Sequence, residues 1–218
     1  LWILYLILKL MIKIITIFLF SLGFQLSFAQ VPLNKSDAQK FKKQVMLNAA
    51  NTESIVSEFI QYRHLSFLNN EIKTIGNLVF KSPNLIKWEY ISPYQYTTIF
   101  KNNTIFINDG GDKSNINIGS NTIFKSLNNL IISSLKGNLF DDNIFIISYF
   151  KLDENYLVKF TPKDKNIFDL IVAFELIFHK ETNDVIEVKM IESSNDYTKI
   201  IFKNKTLNTL INDAIFNN

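Results

Sequence analysis

The chain has 218 residues, 47% hydrophobic and 14% aromatic, with 23 Lys and Arg against 20 Asp and Glu and no cysteine. That length allows one domain, at most two, with a sizeable core, and a net charge of +3 without a dense basic stripe argues against nucleic acid as a partner. The lack of cysteine excludes disulfides, thiolate metal sites, cysteine nucleophiles and cysteine-linked lipid anchors.

Leu1 to Phe28 is almost continuously apolar, broken only by Lys9, Lys13 and a few small polar residues. Read from Met11, it has a short basic start at Lys13, an apolar core from Ile14 to Phe24, and Ser27-Phe28-Ala29 in the small-x-small form of a signal-peptidase site. That core falls well short of the roughly 20 residues that span a bilayer. Residues 1–29 are therefore expected to be a signal peptide cleaved after Ala29 rather than a retained anchor, with residues 1–10 upstream of the true start. Residues 30–218 are expected to form one exported domain. Without Lys9 and Lys13 the basic count falls from 23 to 21 against 20 acidic side chains, so this part is nearly neutral. Export without cysteines suits the periplasm.

Ser36 followed by Gln39 has capping-box spacing, and Phe41, Val45 and Asn48 or Ala49 share one helical face, which predicts a helix over Asp37 to Ala50. Strands follow. Ile72, Thr74, Gly76, Leu78 and Phe80 alternate with polar residues, and so do Ile86, Trp88 and Tyr90 between Pro83 and Pro93. Lys101-Asn102-Asn103 and Asp109-Gly110-Gly111-Asp112 read as turns around a short strand from Thr104 to Asn108. From Thr122 to Lys136 the period becomes helical, with Phe124, Leu127, Leu130, Ile131 and Leu135 recurring at three and four and Gly137 at the C-cap position. Strands are then predicted at Ile144 to Lys151, Tyr156 to Thr161, Ile171 to His179, Val185 to Glu192 and Tyr197 to Asn204. Their tight polar links imply antiparallel pairing. The predicted class is α+β: one large curved antiparallel sheet with a few helices.

Catalytic signals are sparse. The chain has no G-x-S-x-G elbow, H-E-x-x-H, phosphate loop or dinucleotide fingerprint. His64 and His179 are far apart in sequence and read as strand-end residues. Asp109, Asp112, Asp141 and Asp142 lie in turns, where Asp is expected for local hydrogen bonds. Arg63 is the only arginine. A serine hydrolase would have only Ser66 or Ser82 near His64 to offer. What is in excess is large apolar side chains, 20 Phe among them. On strands with a polar opposite face they build a core, and around a bent sheet they can also line an apolar trough for a lipid.

Phe80-Lys81-Ser82-Pro83-Asn84-Leu85-Ile86-Lys87-Trp88-Glu89-Tyr90, followed by Pro93 and the turn Asn108-Asp109-Gly110, resembles the hallmark segment of outer-membrane lipoprotein carriers of the LolA type. The likeness extends to Ser57-x-Phe59-x-Gln61, Gly76-x-Leu78-x-Phe80, the helix ending at Gly137, Phe160-Thr161-Pro162-Lys163 and the closing Asn208 to Phe216. It implies an incomplete antiparallel barrel, or strongly curved sheet, with helices covering an apolar cavity that holds acyl chains in the periplasm. In proteobacterial members an arginine before the proline ties a helical lid shut; here the lid-position equivalent is Ser82, and the C-terminal extension of some carriers is short.

The resemblance implies a non-enzymatic, monomeric periplasmic carrier that shuttles lipoproteins from an inner-membrane release complex to an outer-membrane acceptor. The alternative is a carrier or sensor for another lipid or acyl intermediate on the same scaffold. No metal and no cofactor are expected. The expected cavity residues are Phe59, Leu78, Phe80, Trp88, Phe106, Phe124, Leu127, Leu130, Phe160 and Phe202.

Overall fold

The structure, a computed structural model, describes residues 30–117 and 140–217. The expected signal peptide and the helix predicted over 122–136 lie outside these residues.

Asn34 opens helix α1 (Lys35–Ala50): its Oδ1 accepts from the Asp37 N–H at 2.9 Å, and its amide donates back to the Asp37 carboxylate at 2.8 Å. The cap thus sits two residues before the predicted Ser36, because Asn at the N-cap and Asp at the third helical position satisfy the free N–H groups and complement the helix dipole. Phe41 and Val45 are its buried face.

Twelve strands make one antiparallel sheet: β1 (Val31–Pro32), β2 (Ser54–His64), β3 (Ile72–Lys81), β4 (Leu85–Ser92), β5 (Tyr96–Lys101), β6 (Thr104–Asp109), β7 (Asp112–Asn117), β8 (Phe145–Leu152), β9 (Asn155–Pro162), β10 (Ile171–His179), β11 (Val185–Glu192) and β12 (Tyr197–Leu207). The order is β1-β8-β9-β10-β11-β12-β2-β3-β4-β5-β6-β7, so two meanders, β2 to β7 and β8 to β12, join through β12 and β2. In that joint Phe202 pairs with Phe59 and Ile200 with Gln61. The sheet is unclosed, with β1 and β7 at its two edges. A single helical turn, α2 (Lys165–Phe168), links β9 to β10.

The bounds of β10 and β11 are those predicted, whereas β12 continues past Asn204 to Leu207 and two further strands, β5 and β7, flank β6. The turns around β6 use left-handed backbone where the sequence places Asn and Gly: Asn102 (φ 52°), Asn103 (φ 60°) and Gly110 (φ 58°).

Burial divides into three clusters. In the first, α1 packs Phe41 and Val45 onto β8 to β10 through Phe145, Phe160, Phe174 and Phe178. Phe41 meets Phe178 edge to face at 5.1 Å, a favoured aromatic geometry. The second gathers Ile55, Phe59, Leu78, Phe80, Ile86 and Trp88 on the same face of β2 to β4. The third lies on the opposite face, where the segment after β12 brings Ile211 and Phe216 onto Val79 and Ile99. Lys81 holds that segment down, donating to the Ile211 carbonyl at 2.8 Å and pairing with Asp213.

Candidate ligand-binding cavity

Between the first two clusters lies a cavity of about 270 Å³. Its floor is three strands with their inward side chains in register. Phe174, Met190 and Thr198 form one cross-strand row, and Leu176, Val188 and Ile200 the next. This follows from strand pleating, which sends alternate residues to the same face. One wall is Leu78 paired directly with Trp88, together with Ile55 and Phe202. Opposite them, α1 presents Val45, Asn48 and Ala49, residues three and four apart and therefore on one helical face.

One end of the cavity is polar. Asn48 donates to the Thr182 carbonyl at 2.7 Å, and Asn183, Asp184 and Lys205 line the wall beside it. Lys205 Nζ donates to the Val185 carbonyl at 3.0 Å and lies 3.5 Å from Asp184 Oδ1. Burial lowers the Lys205 pKa, and Asp184 offsets part of that effect. Near the other end, Arg63 donates to Thr198 Oγ1 at 2.8 Å and pairs with Glu192 at 3.1 Å.

Of the residues expected from sequence, Leu78, Trp88 and Phe202 line the cavity. Phe59 and Phe80 are buried behind that wall in the second cluster, and Phe160 is buried in the first. Phe106 requires a correction: it pairs with Ile99 and packs in the third cluster, on the face of the sheet away from Trp88. Phe124, Leu127 and Leu130 lie outside the described residues. Sequence reading missed Val188, Met190 and Lys205.

His64 and His179 do end β2 and β10, and His64 stacks on Tyr197 at 4.9 Å. Ser82 follows the last residue of β3 while His64 comes one residue after Arg63, the partner of the first residue of β3, a separation of about 30 Å along the strand, so the two cannot form a catalytic pair. The Ser66 N–H is held by Asp196 at 2.7 Å. Asp109 and Asp112 face each other across the β6–β7 hairpin, whereas Asp141 and Asp142 precede β8 near the other end of the sheet order. Among the described residues no group of His, Asp and Glu could hold a metal ion. The lining is mostly apolar, with the polar groups of Asn48, Asn183, Asp184 and Lys205 gathered at one end, an arrangement suited to an elongated apolar ligand.

The family model described as outer membrane lipoprotein carrier protein LolA matches residues 50–218. Proteins named outer-membrane lipoprotein carrier protein from Francisella tularensis subsp. novicida (strain U112) and subsp. holarctica (strain LVS) are each 26% identical over 205 residues, covering 94% of this chain and 91% of theirs. Among solved structures, MucB is similar with a TM-score of 0.51 at 10% identity, covering 85% of this chain and 64% of that one. An uncharacterized conserved protein from Thermus thermophilus has a TM-score of 0.50 at 9% identity, covering 83% and 92%. These two likenesses concern the fold alone. With its hallmark segment, its unclosed antiparallel sheet and a family match over most of its length, the chain belongs to the LolA family of outer membrane lipoprotein carrier proteins.

Proposed function

We propose that this protein is a periplasmic, non-enzymatic carrier that shelters lipoprotein acyl chains in the cavity between α1 and the sheet. The observation that carries this reading is the cavity itself, walled by Trp88, Leu78, Phe202, Val188 and Met190 and set within a chain of the carrier family. Each methylene moved from water into such a lining is worth about 0.8 kcal/mol. A membrane returns nearly the same gain, so loading and release need only a modest bias at each end, and transport needs no catalytic step. In this reading residues 1–29 are removed on export, and the monomeric protein from Gln30 onward meets a release complex at the inner membrane and an acceptor at the outer one.

Mass spectrometry of the protein isolated from periplasm tests the reading. The expected result is copurifying acylated lipoproteins, lost when Leu78 and Trp88 are both changed to polar residues that leave the secondary structure intact. Purification without any acylated species, together with no binding of a fluorescent acyl probe, would overturn it.

A further inference from the structure

The inward series on β12 changes phase. Thr198, Ile200 and Phe202 face the cavity, and regular alternation would place Asn204 there next. Asn204 instead takes φ 49°, the pairing with β2 slips between Lys203 and Thr206, and the Asn204 amide turns to the outer face, donating to Glu58 Oε2 at 2.9 Å. Beyond this bulge the cavity-lining residues are Lys205 and Leu207. A bulge re-aims the side chains that follow it, and here it delivers an ammonium to a mostly apolar lining. The stem of Lys205 adds packing, while its Nζ has only the Val185 carbonyl and Asp184 as acceptors among the described residues. This largely buried ammonium is only loosely paired, its one carboxylate standing at 3.5 Å, and burial lowers its pKa although Asp184 opposes that shift.

We propose that Lys205 is the head-group contact of the cavity, and that its ligands include acyl chains ending in an anion, a carboxylate or a phosphate, bound with that end beside Asn48, Asn183 and Asp184. This rests on reading the cavity as an acyl-chain site and adds a chemical class of ligand to it. A chain anchored at Lys205 runs along the strands toward Thr198, past the stretch from Val185 to Met190 that spans about 17 Å of β11. The Lys205–Asp184 pair then also carries specificity: the carboxylate competes with the ligand's own anion and weakens its hold.

Trp88 lines the cavity and the only other tryptophan is Trp2, so fluorescence of the purified protein reports occupancy. The titration compares dodecanoate, dodecyl phosphate and dodecanol. At least one anion should bind about tenfold tighter than the alcohol. Preference for dodecanoate identifies a fatty-acid head group; preference for the phosphate identifies a phospholipid-derived one. Lys205→Met should abolish the gap while leaving dodecanol affinity within about twofold. Asp184→Asn, which removes the competing carboxylate, should widen it, giving an independent reading of opposite sign. Equal binding of acid, phosphate and alcohol by the unmodified protein, or a preference that survives Lys205→Met, overturns the head-group assignment and leaves the acyl-chain reading standing. Failure of all three ligands to bind overturns both.

Discussion

The ring of Phe59 occupies the place where a side chain at position 76 would stand. The two residues pair directly across β2 and β3, and a Cβ on Gly76 would lie 2.5 Å from Phe59 Cζ and collide with the Glu89 carbonyl oxygen of β4. Glycine lets the ring lie over the strand, where it meets Trp88 at 4.9 Å and Tyr90 at 5.2 Å. Gly76→Ala should therefore destabilise by about 3 kcal/mol, the upper end for overpacking, since the backbone carbonyl cannot step aside. Urea unfolding measures it. Adding Phe59→Ala should not restore stability, and a wild-type midpoint for Gly76→Ala would refute the clash.

Thr74 is buried on the inner face of β3, and its hydroxyl has no hydrogen-bond partner among the described residues. An unpaired buried hydroxyl costs more than a methyl of the same shape, and valine also favours strands. Thr74→Val should raise stability by about 1 kcal/mol. A loss of stability in thermal unfolding would show that the hydroxyl has a partner after all.

Phe216, in the segment that Lys81 ties to the outer face, is 1% exposed. Phe216→Ala should cost about 3 to 5 kcal/mol, whereas Asp213→Asn, at an exposed ion pair, should cost less than about 1 kcal/mol. Denaturation curves of the two variants side by side decide whether packing or charge holds the C-terminal segment. Equal losses would contradict the packing account.

Burial, with smaller contributions from Tyr96 and Tyr94, pushes the Tyr90 pKa up to about 12, and its hydroxyl donates to Gln61 Oε1 at 3.1 Å. The unfolded chain gives up that proton near pH 10, while the native state keeps it until about 12. This contribution to stability is therefore complete below pH 10 and is lost between pH 10 and 12. Tyr90→Phe should flatten the decline across that window by on the order of 2 kcal/mol. Parallel stability curves for the variant and the unmodified protein would remove Tyr90 from the account.

Ser82 is exposed, and its backbone N–H, which any residue but proline supplies, donates to the Glu53 carbonyl at 2.8 Å. Ser82→Ala should change stability by less than about 0.5 kcal/mol and leave acyl-probe binding unaltered. A marked loss in either assay would give the hydroxyl a role of its own.

The parts of the fold legible in the sequence are those where alternation is strong and one-sided. Ile171 to His179 and Val185 to Glu192 announce their bounds, and the spacing of Phe41, Val45 and Asn48 shows the face of α1 that meets the sheet. β7 carries no such signal because every residue in it is exposed; only hydrogen bonding to β6 makes it a strand. In the cavity, Leu78, Trp88 and Phe202 were readable from period two. Phe106 was not, because alternation says which residues share a face but not which face is inside, and here the chain end covers the outer one. Lys205 escaped notice for a different reason: the bulge at Asn204 shifts the phase, and a left-handed asparagine inside a strand leaves no periodic trace.

β11 and β12 stand in the middle of the strand order, yet none of their residues is among the buried ones, and the compact aromatic clusters lie to either side of them. A sheet ordinarily has its most protected strands at the centre. Under the proposed carrier function a bound acyl chain packs against this centre, and folding stability then becomes a gauge of loading. The expected linkage is a rise of about 2.7 kcal/mol when ligand stands at a hundred times its dissociation constant. Protease resistance and amide exchange in β11 and β12 should then separate full carriers from empty ones, and the same difference in rigidity is available to any partner that must tell the two apart.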